Sequence, residues 1–250
     1  MNWLKKRVRA GERLLGAGVM LGSPMIAELI GETGYDWIWI DYEHGLGNTR
    51  ELLTMLQAAD IHKLPAIVRL PGNELRLFKQ ALDFGAAGVM VPYVNTAEEA
   101  EHAAKCMRFS PNGLRGIAQS TRAARFGLNF ASYLGEADDN VVCAVQIETP
   151  EAVENVDDIA AVEGVDVLFV GPLDLSVSMG MARDFTNLAF SKALDRVLQA
   201  CKRHGKMPGI LAPTAELGLD WAARGFAFLV ICSDGTLMAR SLADVRKAWN

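Results

Sequence analysis

Residues 141–180 read VVCAVQIETPEAVENVDDIAAVEGVDVLFVGPLDLSVSMG. Two apolar runs, VVCAVQI and VDVLFV, have the length and β-branched content of buried strands. The first stops at Glu148 and the second leads to Asp174. The connection between them is helix-length, and Pro150 can open it. Strand, helix and strand in this order make a βαβ unit, whose strands run parallel with their C-terminal ends on one edge. Glu148 and Asp174 are therefore expected side by side on that edge. Gln146 and Glu148 are two apart and share a strand face, with Ile147 turned the other way. Two carboxylates converging there form an oxygen donor set for a hard divalent cation. Each alone also reads as a helix cap or loop charge, since Thr149-Pro150 looks like a helix start.

The same alternation continues in both directions. Strands are predicted over residues 15–20, 36–40, 65–70, 88–91, 141–147, 166–170, 207–211 and 227–231. Helices are predicted over 2–10, from Ser23-Pro24 to about 33, and over 48–60, 74–84, 96–107, 187–204 and 215–224, with a last one from about Leu237. Residues 110–140, rich in Arg, Gly and Ser, read as one long irregular stretch, and loops of that length usually carry function. Eight strands alternating with helices in 250 residues have the count and size of a (β/α)8 TIM barrel forming a single domain. A doubly wound open sheet is the alternative, though it rarely uses eight strands this evenly.

Composition narrows the function classes. Half of the chain is hydrophobic, and the formal net charge is -5, so no basic surface supports nucleic-acid binding. No apolar run approaches the roughly 20 residues of a membrane span. The opening MNWLKKRVRAGERLL lacks the apolar core of a signal peptide, so a cytoplasmic protein is expected. Cys106, Cys143, Cys201 and Cys232 form no CxxC pair and read as thiols rather than as disulfides or a zinc site.

In a barrel, chemistry gathers at the C-terminal strand ends. Strand two ends in Asp41, Glu43 and His44, strand three in Arg69, and strand five in Gln146 and Glu148. Strand six leads into Gly171-Pro172-Leu173-Asp174, strand seven ends at Leu211-Ala212-Pro213, and strand eight at Ser233-Asp234. The GPLD segment and Leu211 are expected to line a substrate site. Asp41, three residues before His44, can accept a hydrogen bond from its ring and fix its tautomer. Arginine is the best bidentate clamp for a carboxylate, which makes Arg69 a candidate anion binder. Glu43 reads as a supporting or surface group. His62, His102 and His204 lie near helix ends or toward the other barrel face and read as structural. Lys63 and Lys206 precede their strands, so no lysine stands at an active strand end for Schiff-base chemistry.

The segments DYEHG, VRLPG, GLRGIAQSTRAARFG and QIETPEAVENVDDIAAVEGVDVLFVGPLDLSVSMG together resemble the metal-dependent pyruvate aldolases of the 4-hydroxy-2-oxoheptanedioate aldolase family. That family lies within the aldolase/citrate lyase superfamily. The resemblance runs from about residue 16 to 234. It implies a (β/α)8 barrel that assembles as a homohexamer, a dimer of trimers, with the last helix exchanged between neighbours. It implies that Glu148 and Asp174 bind a divalent ion. Mg²⁺ and Mn²⁺ suit an all-oxygen site, and Co²⁺ is a further candidate. Arg69 would bind the 2-oxo acid and its enolate, His44 oriented by Asp41 would move protons, and Gln146 would contact pyruvate. The implied reaction is reversible aldol cleavage of a 4-hydroxy-2-oxo acid to pyruvate and an aldehyde, through a metal-stabilised enolate. The partners expected are thus small molecules, with no nucleic acid and no membrane. Two alternatives stay open: an acyl-CoA lyase of the citrate-lyase type, and a non-catalytic barrel that binds a 2-oxo acid.

Overall fold

The computed structural model describes residues 3–249. Its strands are β1 (Leu14–Val19), β2 (Trp37–Asp41), β3 (Ala66–Arg69), β4 (Gly88–Val91), β5 (Val142–Ile147), β6 (Val167–Val170), β7 (Met207–Ala212) and β8 (Phe228–Ser233). Each pairs in parallel with the next, and β8 returns to β1, which closes the sheet. This is the expected (β/α)8 barrel.

The period-two alternation of a strand decides what fills it. On β2, Trp37 and Trp39 point to the barrel axis, where they meet Phe169 and Phe228, while Ile38 and Ile40 pack under the surrounding helices. On β5, Ala144 points inward while Cys143, Val145 and Ile147 point outward. Both faces are buried, which is why the strands read as nearly continuous apolar runs.

Helix starts follow their capping residues. Pro24 opens α2 (Pro24–Glu32) at a position where no backbone N–H is needed. Asn48 with Glu51, and Thr96 with Glu99, form reciprocal capping boxes on α3 (Thr49–Ile61) and α5 (Ala97–Met107). The remaining long outer helices are α4 (Leu75–Asp83), α10 (Leu188–His204) and α11 (Ala215–Arg224). The first helix, α1 (Trp3–Arg9), plugs the N-terminal mouth by sending Leu4 and Val8 into the interior cluster. Its Lys5 is buried and ion-paired with Asp166. Asn2, the expected start of this helix, lies outside the described residues.

Four local expectations need correction. The stretch 110–140 ends in a helix, α6 (Phe130–Asn140), whose polar sequence with Gly135 inside it buries only Ala137. The β5–β6 connection is two short helices, α7 (Pro150–Glu154) and α8 (Val156–Ala161), hinged at Asn155. A further helix, α9 (Pro172–Ser178), follows β6 directly, so Asp174 hangs from a first helical turn rather than from a strand end. The last helix, α12 (Asp234–Ala248), starts three residues earlier than expected. There Asp234 accepts the backbone N–H groups of Met20 and Leu21 and ties β1 to β8.

Among the described residues, no helix is long and apolar enough to cross a membrane. The four cysteines are free and buried. Burial pushes the thiols of Cys143 and Cys201 up to about 12, and that of Cys106 to about 11.

Candidate active site

The C-terminal strand ends surround a cavity of about 510 Å³. His44, Arg69, Gln146, Glu148, Gly171, Pro172, Leu173, Asp174 and Leu211 all line it. Asp41 lies just beneath, fully buried and bound to Arg69.

Register builds the first pair. Asp41 and Arg69 are directly opposite on β2 and β3. Arg69 Nε and Nη2 donate to the two Asp41 oxygens at 2.9 and 2.6 Å, a bidentate fork. Nη1 of the same guanidinium lies 3.1 Å from Glu43 Oε2. Trp39 covers one face of the group, with the guanidinium carbon 4.3 Å from the ring centroid. Held on two edges and one face, Arg69 still has N–H groups left for the cavity, since a guanidinium carries five.

The second pair sits at β5 and β6. Gln146 Nε2 donates to Glu148 Oε1 at 2.7 Å, as their shared strand face requires. Gly171 makes room for that carboxylate, because a Cβ there would fall 2.2 Å from Glu148 Oε1. Tyr93, after β4 and with a positive φ of 50°, joins the two acids. Its backbone N–H donates to Glu148 and its hydroxyl to Asp174. Burial pushes Glu148 up to about 7, against the Tyr93 N–H and with the Asp174 charge adding to the rise. Burial raises the Tyr93 phenol too, and Asp174 and Glu148 add to it. Glu43 is likewise raised, chiefly by burial, with Arg69 opposing.

These observations test whether a cation fits. Two carboxylates crowd one corner, Glu148 is buried without a full counter-charge, and Gln146 Oε1 is buried with no hydrogen-bond partner among the described residues. The donors are all oxygen, the chemistry of a hard divalent ion. Glu148 and Asp174 fit such an ion. Among the described residues there is no cluster of three or more His, Cys, Asp or Glu side chains arranged to hold a metal.

The sequence pattern known as HpcH/HpaI aldolase/citrate lyase matches residues 19–241. The chain belongs to this family. A hydroxypyruvate/pyruvate aldolase of Pseudomonas aeruginosa is 36% identical over 246 residues, covering 98% of this chain and 91% of its own. A 5-keto-4-deoxy-D-glucarate aldolase of Escherichia coli (strain SE11) is 36% identical over 236 residues, covering 93% and 91%. The crystal structure of an HpcH/HpaI aldolase/citrate lyase family protein from Burkholderia cenocepacia J2315 superposes with a TM-score of 0.94 at 37% identity, covering 99% of both chains.

Within this HpcH/HpaI aldolase barrel one expected relation differs. Asp41 does not orient the His44 ring. The bond it receives from His44 comes from the backbone N–H, at 3.2 Å, and its carboxylate is engaged by Arg69. The tight turn after β2 folds His44 outward, leaving its side chain 61% exposed on the cavity rim with Nε2 3.9 Å from Glu43. Glu43, read from sequence as a supporting or surface group, is the acid that faces both His44 and Arg69. The sequence alone marks neither Tyr93 nor Trp39: Tyr93 follows a strand end, the one signal that points to it, whereas Trp39 reads as ordinary strand filler.

None of the other histidines is among the residues that line this cavity: His62 lies beside Glu32, His102 beside Cys106, and His204 beside Asp157. Lys206 donates to the carbonyls of Val162 and Val165. A larger cavity, about 680 Å³, opens at this N-terminal end. Lys5, Arg9 and Arg108 in its wall are paired with Asp166, Asp139 and Glu163, and Lys206, also in its wall, donates to the two carbonyls just named.

Proposed function

We propose that the chain catalyses reversible aldol cleavage of 4-hydroxy-2-oxo acids to pyruvate and an aldehyde. One observation carries this reading. A single cavity brings the carboxylate pair Glu148/Asp174 together with a rigidly held arginine, Arg69, and a solvent-facing histidine, His44.

Glu148 and Asp174 would hold a divalent ion, Mg²⁺ or Mn²⁺ on donor chemistry with Co²⁺ as a further candidate, which would supply Lewis-acid polarisation of the substrate's 2-oxo group. Arg69 faces the substrate with its remaining N–H groups. As the C3–C4 bond breaks, its electron pair moves into the C2–C3 bond and charge gathers on the 2-oxo oxygen. Arg69 stabilises that charge without reorganising, because Asp41, Glu43 and Trp39 already fix its plane. Gln146 and the start of α9 at Gly171-Pro172-Leu173 position the pyruvate half, and Leu211 bounds the cavity. His44 takes the C4 hydroxyl proton, so that C4 leaves as the aldehyde carbonyl. Protonation at C3 then releases pyruvate, and the steps reverse in condensation.

A Schiff-base route would need a lysine, and among the described residues none lines the cavity. The acyl-CoA alternative is less supported, since the two relatives at 36% identity are named as hydroxypyruvate/pyruvate and 5-keto-4-deoxy-D-glucarate aldolases. The test is condensation of pyruvate with a panel of aldehydes, with and without EDTA. Chelator-sensitive consumption of pyruvate with at least one aldehyde is expected. Activity that ignores the chelator, or none with any aldehyde, argues against the reading.

His44→Ala is expected to slow cleavage by roughly 10²–10⁴-fold, the usual worth of general acid–base help. A loss of only a few-fold in kcat would reduce His44 to positioning water or substrate.

The working form is a homo-oligomer, a hexamer on the resemblance noted above, in a cytoplasmic setting. Supporting this, α12 buries none of its residues, and Leu242 and Val245 on it are 64% and 69% exposed. An apolar helix face left in solvent is a place for another copy to pack. Native mass spectrometry reporting only monomer at micromolar concentration would sink this assembly.

A further inference from the structure

Tyr93 stands just past β4, in the loop that leads to α5, with a left-handed backbone at φ 50°. A residue that carries a Cβ rarely takes that conformation, and where one does, its surroundings have to hold it there. Here they do. The next residue, Val94, donates its N–H to the Gln146 carbonyl on β5 at 3.2 Å. Asn95 donates from Nδ2 to the Tyr93 carbonyl at 3.3 Å. Asn95 is tied in turn to the chain that follows β5: its side-chain oxygen accepts from the Thr149 hydroxyl, and its carbonyl accepts from Asn155 Nδ2. These bonds clamp the turn against β5.

The clamped turn does two things at once. It aims the Tyr93 backbone N–H at Glu148 Oε2, 3.2 Å away, and it sends the half-exposed side chain to Asp174 Oδ1, where the phenol donates at 3.4 Å. An ionised carboxylate only accepts, so the phenol is the donor. Glycine would adopt this backbone without strain and would keep the first bond, but it has no side chain to make the second. The two acids come from different elements, Glu148 from the end of β5 and Asp174 from the first turn of α9. Tyr93 donates to both. Gln146 occupies Glu148 Oε1 and Tyr93 occupies Oε2, while Asp174 Oδ2 has no hydrogen bond among the described residues.

We propose that Tyr93 is a positioning residue for the cation site: its phenol and its backbone N–H set Asp174 and Glu148 as one ligand pair, with Asp174 Oδ2 left for the ion. This rests on reading that pair as a divalent-cation site, and it adds the group that orients the pair. Hydrogen-bonded partners of metal-ligating carboxylates set how tightly the metal is held.

The test is titration of the whole chain with Mn²⁺ in the absence of substrate, read by electron paramagnetic resonance, which separates free from bound ion. Tyr93→Phe keeps the ring and the backbone bond to Glu148 but removes the phenol oxygen. It is expected to bind Mn²⁺ roughly tenfold to a hundredfold more weakly. The spectrum of the ion that does bind should change shape, because it follows the orientation of the coordinating carboxylates. Without metal, the melting temperature should stay within about three degrees, since the lost bond is long and half exposed. Mn²⁺ affinity within about twofold of the unsubstituted protein overturns the proposal. A larger drop in melting temperature would make Tyr93 a residue of the fold and overturns it equally. Asp174→Ala, titrated alongside, separates this proposal from the reading beneath it. If Asp174→Ala loses Mn²⁺ and Tyr93→Phe does not, the cation reading stands and the role of Tyr93 is wrong. If the unsubstituted protein binds Mn²⁺ no more tightly than Asp174→Ala, the cation reading fails and the proposal falls with it.

Discussion

Asp174→Ala is expected to abolish metal-dependent turnover while leaving the barrel folded. The side chain sits in the first turn of α9, partly exposed, and its hydrogen bond is a long one from Tyr93. Losing an acid from a helix N-terminus costs about 0.3–1 kcal/mol. Removing its charge beside buried Glu148 offsets part of that, since the Asp174 charge is one of the causes that raise Glu148. Activity behaves differently. Lewis-acid stabilisation of the transition state is worth several kcal/mol, so kcat/KM should fall by roughly 10³-fold or more. Thermal melting and metal titration of the same sample separate the two effects. Full activity in the variant, or a collapsed melting temperature, would show that Asp174 is a structural cap.

Arg69→Ala is expected to lose roughly 10²–10³-fold in kcat, the effect of removing one fixed donor to a developing oxyanion. Here stability falls as well. The Asp41 carboxylate is fully buried and spends both oxygens on Arg69. Leaving such a charge unpaired costs about 3–5 kcal/mol. Arg69→Lys returns a positive charge but neither the planar fork nor the flat face over Trp39. Melting temperature should therefore recover further than kcat does. Steady-state kinetics with parallel melts reads both. A raised KM with unchanged kcat would make Arg69 a binding residue only.

The parts of this site that were legible in the sequence are those set by local rules. β4 and α11 occur at the residues expected from their apolar patterns. The caps at Asn48 and Thr96 announced their helices. Period two placed Gln146 and Glu148 on one face, where they are now hydrogen-bonded. What was not legible depends on register and on chain reversals. Asp41 faces Arg69 because β2 and β3 align there, across 28 positions of chain. Nothing near Asp41 says that this partner outcompetes the His44 ring three residues away. Tyr93 reaches both acids only because its backbone takes a left-handed turn that a non-glycine residue rarely adopts. The helix α9 was missed since seven residues directly after a strand leave no room for a readable helical period. The helix α6 was missed because a face that buries one alanine carries almost no amphipathic signal.

The most direct measurement of the central claim, that this cavity makes and stabilises the enolate of pyruvate, needs no aldehyde. Pyruvate in D₂O is mixed with protein and Mg²⁺ or Mn²⁺, and loss of the methyl proton signal is followed by NMR. The account predicts protein-catalysed exchange that stops on chelation and is strongly slowed in Arg69→Ala and Asp174→Ala. Exchange no faster than in protein-free solution, or exchange that survives both substitutions, would contradict it.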